Sequence, residues 1–140
     1  GRVRVRHAGP VRLRIGPDEV PSLIDELPAL AALATFGGAI EVSGAAELRV
    51  KESDRITALV TGLRALGAVA DERADGFLVD GHRPLSGGAA EAAGDHRLAM
   101  AFAVAALGAR GPSLVRGADV VDVSYPGFFE TLASLASERS

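Results

Sequence analysis

Residues 42–45 read Val-Ser-Gly-Ala, and residues 115–118 read Val-Arg-Gly-Ala. The two stretches are offset by 73 residues, from 42 to 115, and the same offset aligns Leu59 with Leu132 and Ala32 with Ala105. Each copy contains an Ala-rich helix, a glycine break, a strand that ends in Gly-Ala, and another helix. Such a repeat predicts two copies of one α/β unit packed against each other. Because neither G-x-G-x-x-G nor G-x-x-x-x-G-K-[ST] occurs, we expect an α/β (α+β) domain with helices on mixed sheets rather than a Rossmann fold.

The clearest helical pattern lies in the middle of the chain. Its apolar residues recur at spacings of three and four and are Ile56, Leu59, Val60, Leu63 and Leu66. Ser53-Asp54 precede the pattern as an N-cap signal, and Gly67 follows it as a helix end. Similar patterns predict a helix over 20–34 with a kink at Pro28, a third over 96–107 and a fourth over 126–136. Strands are expected over 39–42, 68–72, 76–79 and 113–115, with 84–93 as a connection.

The amino-terminal residues alternate between apolar and charged side chains. Stretches 2–6 and 11–15 flank Ala8-Gly9-Pro10, which predicts a hairpin-like strand pair with its Arg side chains on a solvated face. A nucleic-acid-binding stripe is the alternative, although no aromatic residue is interleaved with these Arg residues. Since the alternation begins at the first residue, without an initiator Met, we expect the chain to be a fragment that starts within an element.

Composition excludes several classes of protein. The chain has 140 residues, a net charge of -3 and no Cys, which argues against a polybasic nucleic-acid-coating protein, a disulfide framework and a thiolate metal site. Its three His residues lie far apart in the sequence, and we expect no metal site. No apolar run approaches the roughly 18 residues of a spanning helix, and no signal segment opens the chain. We therefore expect a soluble, cytoplasmic protein without membrane association.

Two predicted helices begin with cations, which opposes the helix dipole. Lys51 and Arg55 lie around the start of the second helix, and Arg97 lies at the start of the third. A cation there costs about 0.3–1 kcal/mol. Both helix starts would be satisfied by a bound anion such as a phosphate or carboxylate. The alternatives are a self-neutralising turn with Glu52 and Asp54, and an ion pair between Arg97 and Asp95.

Carboxylates adjoin these cations in the sequence. Asp25 interrupts an apolar stretch, and Glu52 lies directly beside Lys51. A carboxylate among cations stays ionised and can act as a base, and a Lys near other cations loses its proton more easily. The sequence alone leaves open whether Asp25 and Glu52 converge or are ordinary acids on helix surfaces.

Three motifs in combination resemble one enzyme family. Residues 48–55 read Leu-Arg-Val-Lys-Glu-Ser-Asp-Arg, residues 94–100 read Gly-Asp-His-Arg-Leu-Ala-Met, and residues 24–28 read Ile-Asp-Glu-Leu-Pro. Together with Ser124-Tyr125-Pro126 they resemble the C-terminal part of the EPSP synthases, the 3-phosphoshikimate 1-carboxyvinyltransferases. The resemblance implies transfer of the enolpyruvyl group of phosphoenolpyruvate to the 5-hydroxyl of shikimate 3-phosphate, with release of phosphate, in aromatic amino-acid biosynthesis. It also implies a fold of repeated βαβαββ units, of which residues 1–140 would hold about two, and no cofactor.

Site residues follow from the resemblance by motif position. Asp25 would help remove the proton of the attacking hydroxyl, Glu52 would handle the proton at the methylene carbon of phosphoenolpyruvate, and Lys51 would contact both substrates as a proton-transfer partner. Arg55 and Arg97 would clamp phosphoenolpyruvate, with His96 as a weaker contact.

Two departures from the family pattern qualify this resemblance. Val123 stands where some family members carry Lys. The family's Gly-Ser-Lys-Ser segment and its N-terminal domain, which supplies most shikimate 3-phosphate contacts, have no counterpart here. We therefore expect the chain alone to be nearly inactive. Two alternative interpretations are a non-catalytic anion-binding module and a relative of UDP-N-acetylglucosamine enolpyruvyl transferase.

Overall fold

The computed structural model describes residues 1–137. The helices and strands within that range follow one another as β1 (Arg12–Ile15), α1 (Val20–Leu23), α2 (Leu27–Ala34), β2 (Ala39–Val42), α3 (Arg55–Ala65), β3 (Val69–Arg73), β4 (Gly76–Asp80), β5 (Gly88–Glu91), α4 (His96–Ala106), β6 (Ser113–Arg116) and α5 (Phe128–Ser137). Two 3-10 helices, Ala46–Val50 and Ala118–Val123, lie before α3 and α5.

The strands form two sheets. The first has the order β1-β2-β4-β3, in which β1 pairs with β2 in parallel and the other two pairings are antiparallel. The second consists of β5 and β6 in parallel. Short strands alternating with helices therefore give mixed sheets with packed helices, which confirms the predicted α/β (α+β) class.

The 73-residue repeat recurs in the order of the elements. In the first copy, β2 leads through Gly44 and a 3-10 helix to α3; in the second copy, β6 leads through Gly117 and a 3-10 helix to α5. The two glycines have φ angles of +72° and +70°, a backbone region that favours glycine. A Cβ on Gly44 would also lie 2.5 Å from the Cβ of Pro17. The Val-x-Gly-Ala signature is thus the turn that sends each strand into the following helix.

A central core holds α3 and α4 together. The fully buried residues here are Leu59 and Leu63 of α3, Leu66 directly after that helix, and Phe102 of α4. The aromatic ring packs directly on Gly62, where a Cβ would lie 2.1 Å from its Cζ atom. The absence of a side chain at that position lets the two helices approach closely.

Three predictions about local structure were wrong. Residues 1–10 form no strand, and Val3 and Val5 are 91% and 88% exposed rather than inward-facing. Alternation alone does not make a strand, because each strand needs a hydrogen-bonded neighbour, and β1 finds its neighbour in β2 instead of in a hairpin. The predicted helix over 20–34 is two helices, since the chain turns at 24–26 and Pro28 lies in the first turn of α2. The predicted connection over 84–93 contains β5, whose Gly and Ala residues carry little strand signal.

In the described part of the chain, residues 1–137, no helix is both long enough and apolar enough to span a bilayer.

Candidate functional site

The starts of α3 and α4 meet at one carboxylate, that of Asp95. This side chain is the N-cap of α4, where it accepts hydrogen bonds from the backbone N–H groups of Arg97 (3.0 Å) and Leu98 (3.4 Å). It also accepts a hydrogen bond from the hydroxyl of Ser53 (3.1 Å) and one from Nε of Arg55 (2.7 Å). Asp95 is completely buried. One side chain therefore fixes the two cationic motifs relative to each other.

Arg55, the first residue of α3, is surrounded by three carboxylates. In addition to its bonds to Asp95, Nη1 donates to Asp25 at 3.0 Å and Nη2 donates to Glu52. Its side chain is only 1% exposed, whereas those of Asp25 and Glu52 are 41% and 49% exposed. Burial of the guanidinium acts to lower the pKa of Arg55. It is outweighed by the hydrogen bond and charge of Asp95, the charge of Glu52 and the hydrogen bond of Asp25, and the pKa is raised. Arg55 thus stays charged and organises the acidic side chains around it.

Asp25 reaches this cluster from the turn between α1 and α2. Its carboxylate bonds to Arg55, its backbone carbonyl accepts from Nη1 of Arg97 at 3.1 Å, and its Oδ2 lies 3.8 Å from Nη2 of Arg97. Burial acts to raise the pKa of Asp25. The Arg55 hydrogen bond and the charges of Arg97, Lys51 and Arg55 outweigh it and hold that pKa below its ordinary value. The carboxylate is therefore ionised at neutral pH and can accept a hydrogen bond from a hydroxyl group.

Lys51 lies at the rim of the cluster, just after the first 3-10 helix. Its Nζ bonds to Glu47 at 3.1 Å, and its charge contributes to the lowered pKa of Asp25. His96 is the first residue of α4 and half-buried. Among residues 1–137 its side chain makes no hydrogen bond or ion pair, so it adjoins the cluster without joining it.

The sequence therefore predicted most of the residues that converge. Asp25, Glu52, Arg55 and Arg97 meet directly, and Lys51 acts on Asp25 through its charge. The alternative prediction of an ion pair between Arg97 and Asp95 is wrong. Asp95 accepts a hydrogen bond from the backbone N–H of Arg97, and its ion pair is with Arg55.

Sequence reasoning missed the central place of Asp95 and the bond from Ser53. An Asp immediately before a predicted helix is an N-cap signal, but nothing local indicates that it is buried.

Arg49, in the motif of residues 48–55, links the N-terminal end of α3 to the β3–β4 hairpin. Its guanidinium donates to Asp54, Thr57 and Glu72 and to the backbone carbonyls of Arg73 and Ala74. The hydrogen bonds of Asp54 to Thr57 and Arg49 overcome its burial and lower its pKa. Asp54 is also the N-cap of α3, at 3.2 Å from the amide of Thr57. These bonds hold the segment with Lys51 and Glu52 in place.

No group of three or more His, Cys, Asp or Glu side chains within residues 1–137 is arranged to hold a metal ion. The site instead combines carboxylates with cations, and it is half open to solvent at Asp25 and Glu52. Such an arrangement can bind an anion and exchange protons with a neighbouring substrate.

Comparison with known proteins identifies the family of the chain. The family model of EPSP synthase, 3-phosphoshikimate 1-carboxyvinyltransferase, matches residues 2–132. The 3-phosphoshikimate 1-carboxyvinyltransferase of Koribacter versatilis is 50% identical over 133 residues, which cover 94% of this chain and 31% of that protein. The Aquifex aeolicus protein of the same name is 49% identical over 121 residues, or 86% of this chain and 28% of its own length.

A solved structure extends the likeness to three dimensions. An EPSP synthase from Acinetobacter baumannii superimposes with a TM-score of 0.77 at 41% identity, covering 86% of this chain and 28% of that one. The chain thus spans about 30% of the length of the relatives it matches. On its motifs, its fold and these matches, the chain belongs to the EPSP synthase family.

Proposed function

We propose that this chain is part of an enzyme that transfers the enolpyruvyl group of phosphoenolpyruvate to the 5-hydroxyl of shikimate 3-phosphate and releases phosphate. The observation that carries the proposal is the convergence of Asp25, Glu52, Arg55 and Arg97 from three separate motifs. A purely structural salt-bridge cluster would not need Asp25 and Glu52 to be half exposed around a buried cation.

The reaction needs groups that move protons in opposite directions. The hydroxyl oxygen forms a bond to the central carbon of phosphoenolpyruvate and loses its proton, while the methylene carbon gains one. The resulting methyl group then loses a proton while the bond between the central carbon and the phosphate oxygen breaks and phosphate leaves. Asp25, ionised by its cationic neighbours, accepts the hydrogen bond of the hydroxyl. Lys51 assists removal of the hydroxyl proton, and Glu52 donates a proton to the methylene carbon and later removes one from it.

Arg97 is the first arginine of the site to bind phosphoenolpyruvate. Its side chain is 36% exposed, and its hydrogen bond and its ion pair with residues in the range 1–137 are both to Asp25. Every nitrogen of the Arg55 guanidinium already contacts a carboxylate. Arg55 therefore joins the phosphoenolpyruvate clamp only when Asp25 or Glu52 turns toward its substrate, and His96 remains a peripheral contact.

We further propose that residues 1–140 form about two repeat units of one domain of this enzyme. The repeated order of elements and the 28–31% coverage of the relatives support this. The N-terminal domain would then supply the other wall of the cleft and most contacts to shikimate 3-phosphate. The chain alone would turn over negligibly, and a cytoplasmic location of the enzyme stays a prediction.

A chimera tests the function. The segment of the Koribacter versatilis relative that aligns with this chain is replaced by the matching residues of this chain, and phosphate release is measured with phosphoenolpyruvate and shikimate 3-phosphate. We expect an active chimera in which Asp25→Asn or Glu52→Gln lowers kcat by about 10²–10⁴-fold, the usual contribution of a general acid or base.

Asp71→Asn is the matched control, since it removes a carboxylate that is 67% exposed and whose ion-pair partner among the described residues is Arg64. It should leave kcat unchanged. A folded chimera without phosphate release, or one in which Glu52→Gln keeps the full rate, would contradict the proposal and favour a non-catalytic anion-binding module.

A further inference from the structure

The short segment between the first 3-10 helix and α3 carries Lys51, Glu52 and Ser53, and we call it the Lys-Glu-Ser segment. It belongs to no helix or strand. Within residues 1–137, the backbone groups of Glu52 and Ser53 form no backbone–backbone hydrogen bond. Backbone that lacks such bonds opens easily unless side chains hold it. The position of Glu52 therefore depends on the side-chain contacts of this segment.

Two of these side-chain contacts are local. Nζ of Lys51 bonds to Glu47 at 3.1 Å, one turn back along the chain, and the side chain of Glu47 is 61% exposed. Glu52 accepts a hydrogen bond from Nη2 of Arg55, three residues further on. Both bonds join the segment to its immediate neighbours in sequence, so neither fixes it relative to α4.

The third contact, from the half-buried side chain of Ser53, reaches a distant part of the chain. Its hydroxyl donates to Oδ2 of Asp95 at 3.1 Å, across 42 residues of sequence. Asp95 is completely buried, and its carboxylate also accepts hydrogen bonds from Arg55 and from the amides of Arg97 and Leu98. A carboxylate held by so many donors has a fixed position. Ser53 therefore connects the Lys-Glu-Ser segment to a rigid point at the start of α4.

The proposed reaction breaks the two local bonds. Glu52 reaches the methylene carbon of phosphoenolpyruvate only when its carboxylate turns away from Arg55, and Lys51 reaches the hydroxyl only when its ammonium group leaves Glu47. The bond from Ser53 involves no group that meets a substrate, so it persists through the reaction. It is then the side-chain hydrogen bond that still joins the segment to the rest of residues 1–137.

We propose that Ser53 is a positioning residue for enolpyruvyl transfer: its hydroxyl anchors the Lys-Glu-Ser segment to Asp95 and thereby holds Glu52 at the methylene carbon. This role rests on the proposed function and adds to it a residue that touches no substrate. A displacement of about 1 Å can slow an enzymatic step by about 10²-fold, so an anchor of this kind affects the rate.

NMR relaxation of the 140-residue chain tests the anchor without substrates. In Ser53→Ala the backbone order parameters of residues 51 and 52 should fall from about 0.85, typical of rigid backbone, toward about 0.6. Ser53→Thr keeps a hydroxyl at this position and should keep the original values. Ser22→Ala is the matched control, because Ser22 is exposed and its hydroxyl bonds only to the nearby carbonyl of Glu19 among the described residues.

The same substitutions in the chimera test the effect on the reaction. Ser53→Ala should lower kcat about tenfold, because Glu52 is held less well at the methylene carbon. The KM for phosphoenolpyruvate should change by less than about twofold, since Arg97 makes no hydrogen bond to the segment. Ser53→Thr should restore kcat, and Ser22→Ala should leave it unchanged. Circular dichroism shows whether each variant is folded.

The proposal is overturned if folded Ser53→Ala keeps the order parameters of residues 51 and 52, if it keeps the full kcat, or if folded Ser53→Thr is as slow as Ser53→Ala. A chimera that releases no phosphate before any substitution contradicts the proposed function instead. In that case the order parameters of the 140-residue chain still decide whether Ser53 anchors the segment. Failure of the anchor and failure of the proposed function are thus distinguishable.

Discussion

Replacing Arg55 by Met tests how the charged cluster contributes to stability. Arg55 and Asp95 are 1% and 0% exposed, and Nε of the arginine lies 2.7 Å from Oδ2 of the aspartate. Removing the cation leaves the carboxylate of Asp95 buried without its ion-pair partner, which costs about 3–5 kcal/mol in such sites. Because small domains are stable by about 5–15 kcal/mol, Arg55→Met should remove a large part of the free energy of unfolding.

Urea denaturation at pH 7, followed by circular dichroism, measures this loss. Arg14→Met is the matched control, because Arg14 is 85% exposed and its ion pair with Glu41 spans 3.4 Å. Exposed pairs contribute about 0–1 kcal/mol, so the control should cost less than that.

A double variant tests the stated cause. Asn at position 95 carries no charge and can still cap α4, so Asp95→Asn introduced into Arg55→Met should recover at least about 1 kcal/mol. If Arg55→Met costs no more than Arg14→Met, or if Asp95→Asn destabilises the Arg55→Met variant further, the reasoning about the buried pair is refuted.

Three further predictions concern individual residues. The carboxyl of Asp25 should titrate below about pH 3.9, the ordinary value for Asp, in a ¹³C NMR titration, and Arg97→Gln should raise its midpoint. Since the folded-state pKa is the lowered one, the stability contributed by ionised Asp25 is present above that ordinary value and is lost as pH falls through the folded pKa. Asp25→Asn should therefore destabilise the chain at pH 7, and this loss should disappear as pH falls through the folded-state pKa. Arg49→Ala removes the hydrogen bonds between α3 and the β3–β4 hairpin and should lower the urea midpoint by more than Arg14→Met does in the same assay; a midpoint no lower than that of Arg14→Met would show that these bonds are dispensable. Gly62→Ala forces a methyl group against Phe102 and should cost about 1–3 kcal/mol, whereas Thr61→Ala, at the exposed neighbouring position, should stay within about 0.5 kcal/mol.

Secondary structure was predictable wherever local signals agreed. The α3 helix was expected between Ser53-Asp54 and Gly67 and is observed as Arg55–Ala65, because an N-cap, a periodic apolar face and a terminating glycine all specify the same bounds. The strand Ala39–Val42 was expected at those residues. The prediction failed for residues 2–6, where alternation was the only signal and no neighbouring strand supplies hydrogen bonds.

The candidate site was predictable as a set of residues but not as a geometry. Cations at two helix starts indicated that Arg55 and Arg97 needed negatively charged partners, and the motifs named Asp25 and Glu52. In the structure the chain's own carboxylates contact the guanidinium of Arg55, and binding of an anion by Arg55 stays a prediction. Local charge counting could not assign those partners, because Asp25 is 30 and Asp95 is 40 residues away from Arg55 in sequence.

The repeated order of strands and helices could be predicted from the sequence, because periodicity, glycine turns and N-caps act over a few residues and recur at a 73-residue offset. The burial of Asp95, and its ion pair with Arg55 between the starts of α3 and α4, become visible only in the folded chain. The same is true of the contact between Arg97 and the turn that carries Asp25. Burial and ion pairing depend on which distant segments pack together, as α3 packs closely on α4 at Gly62.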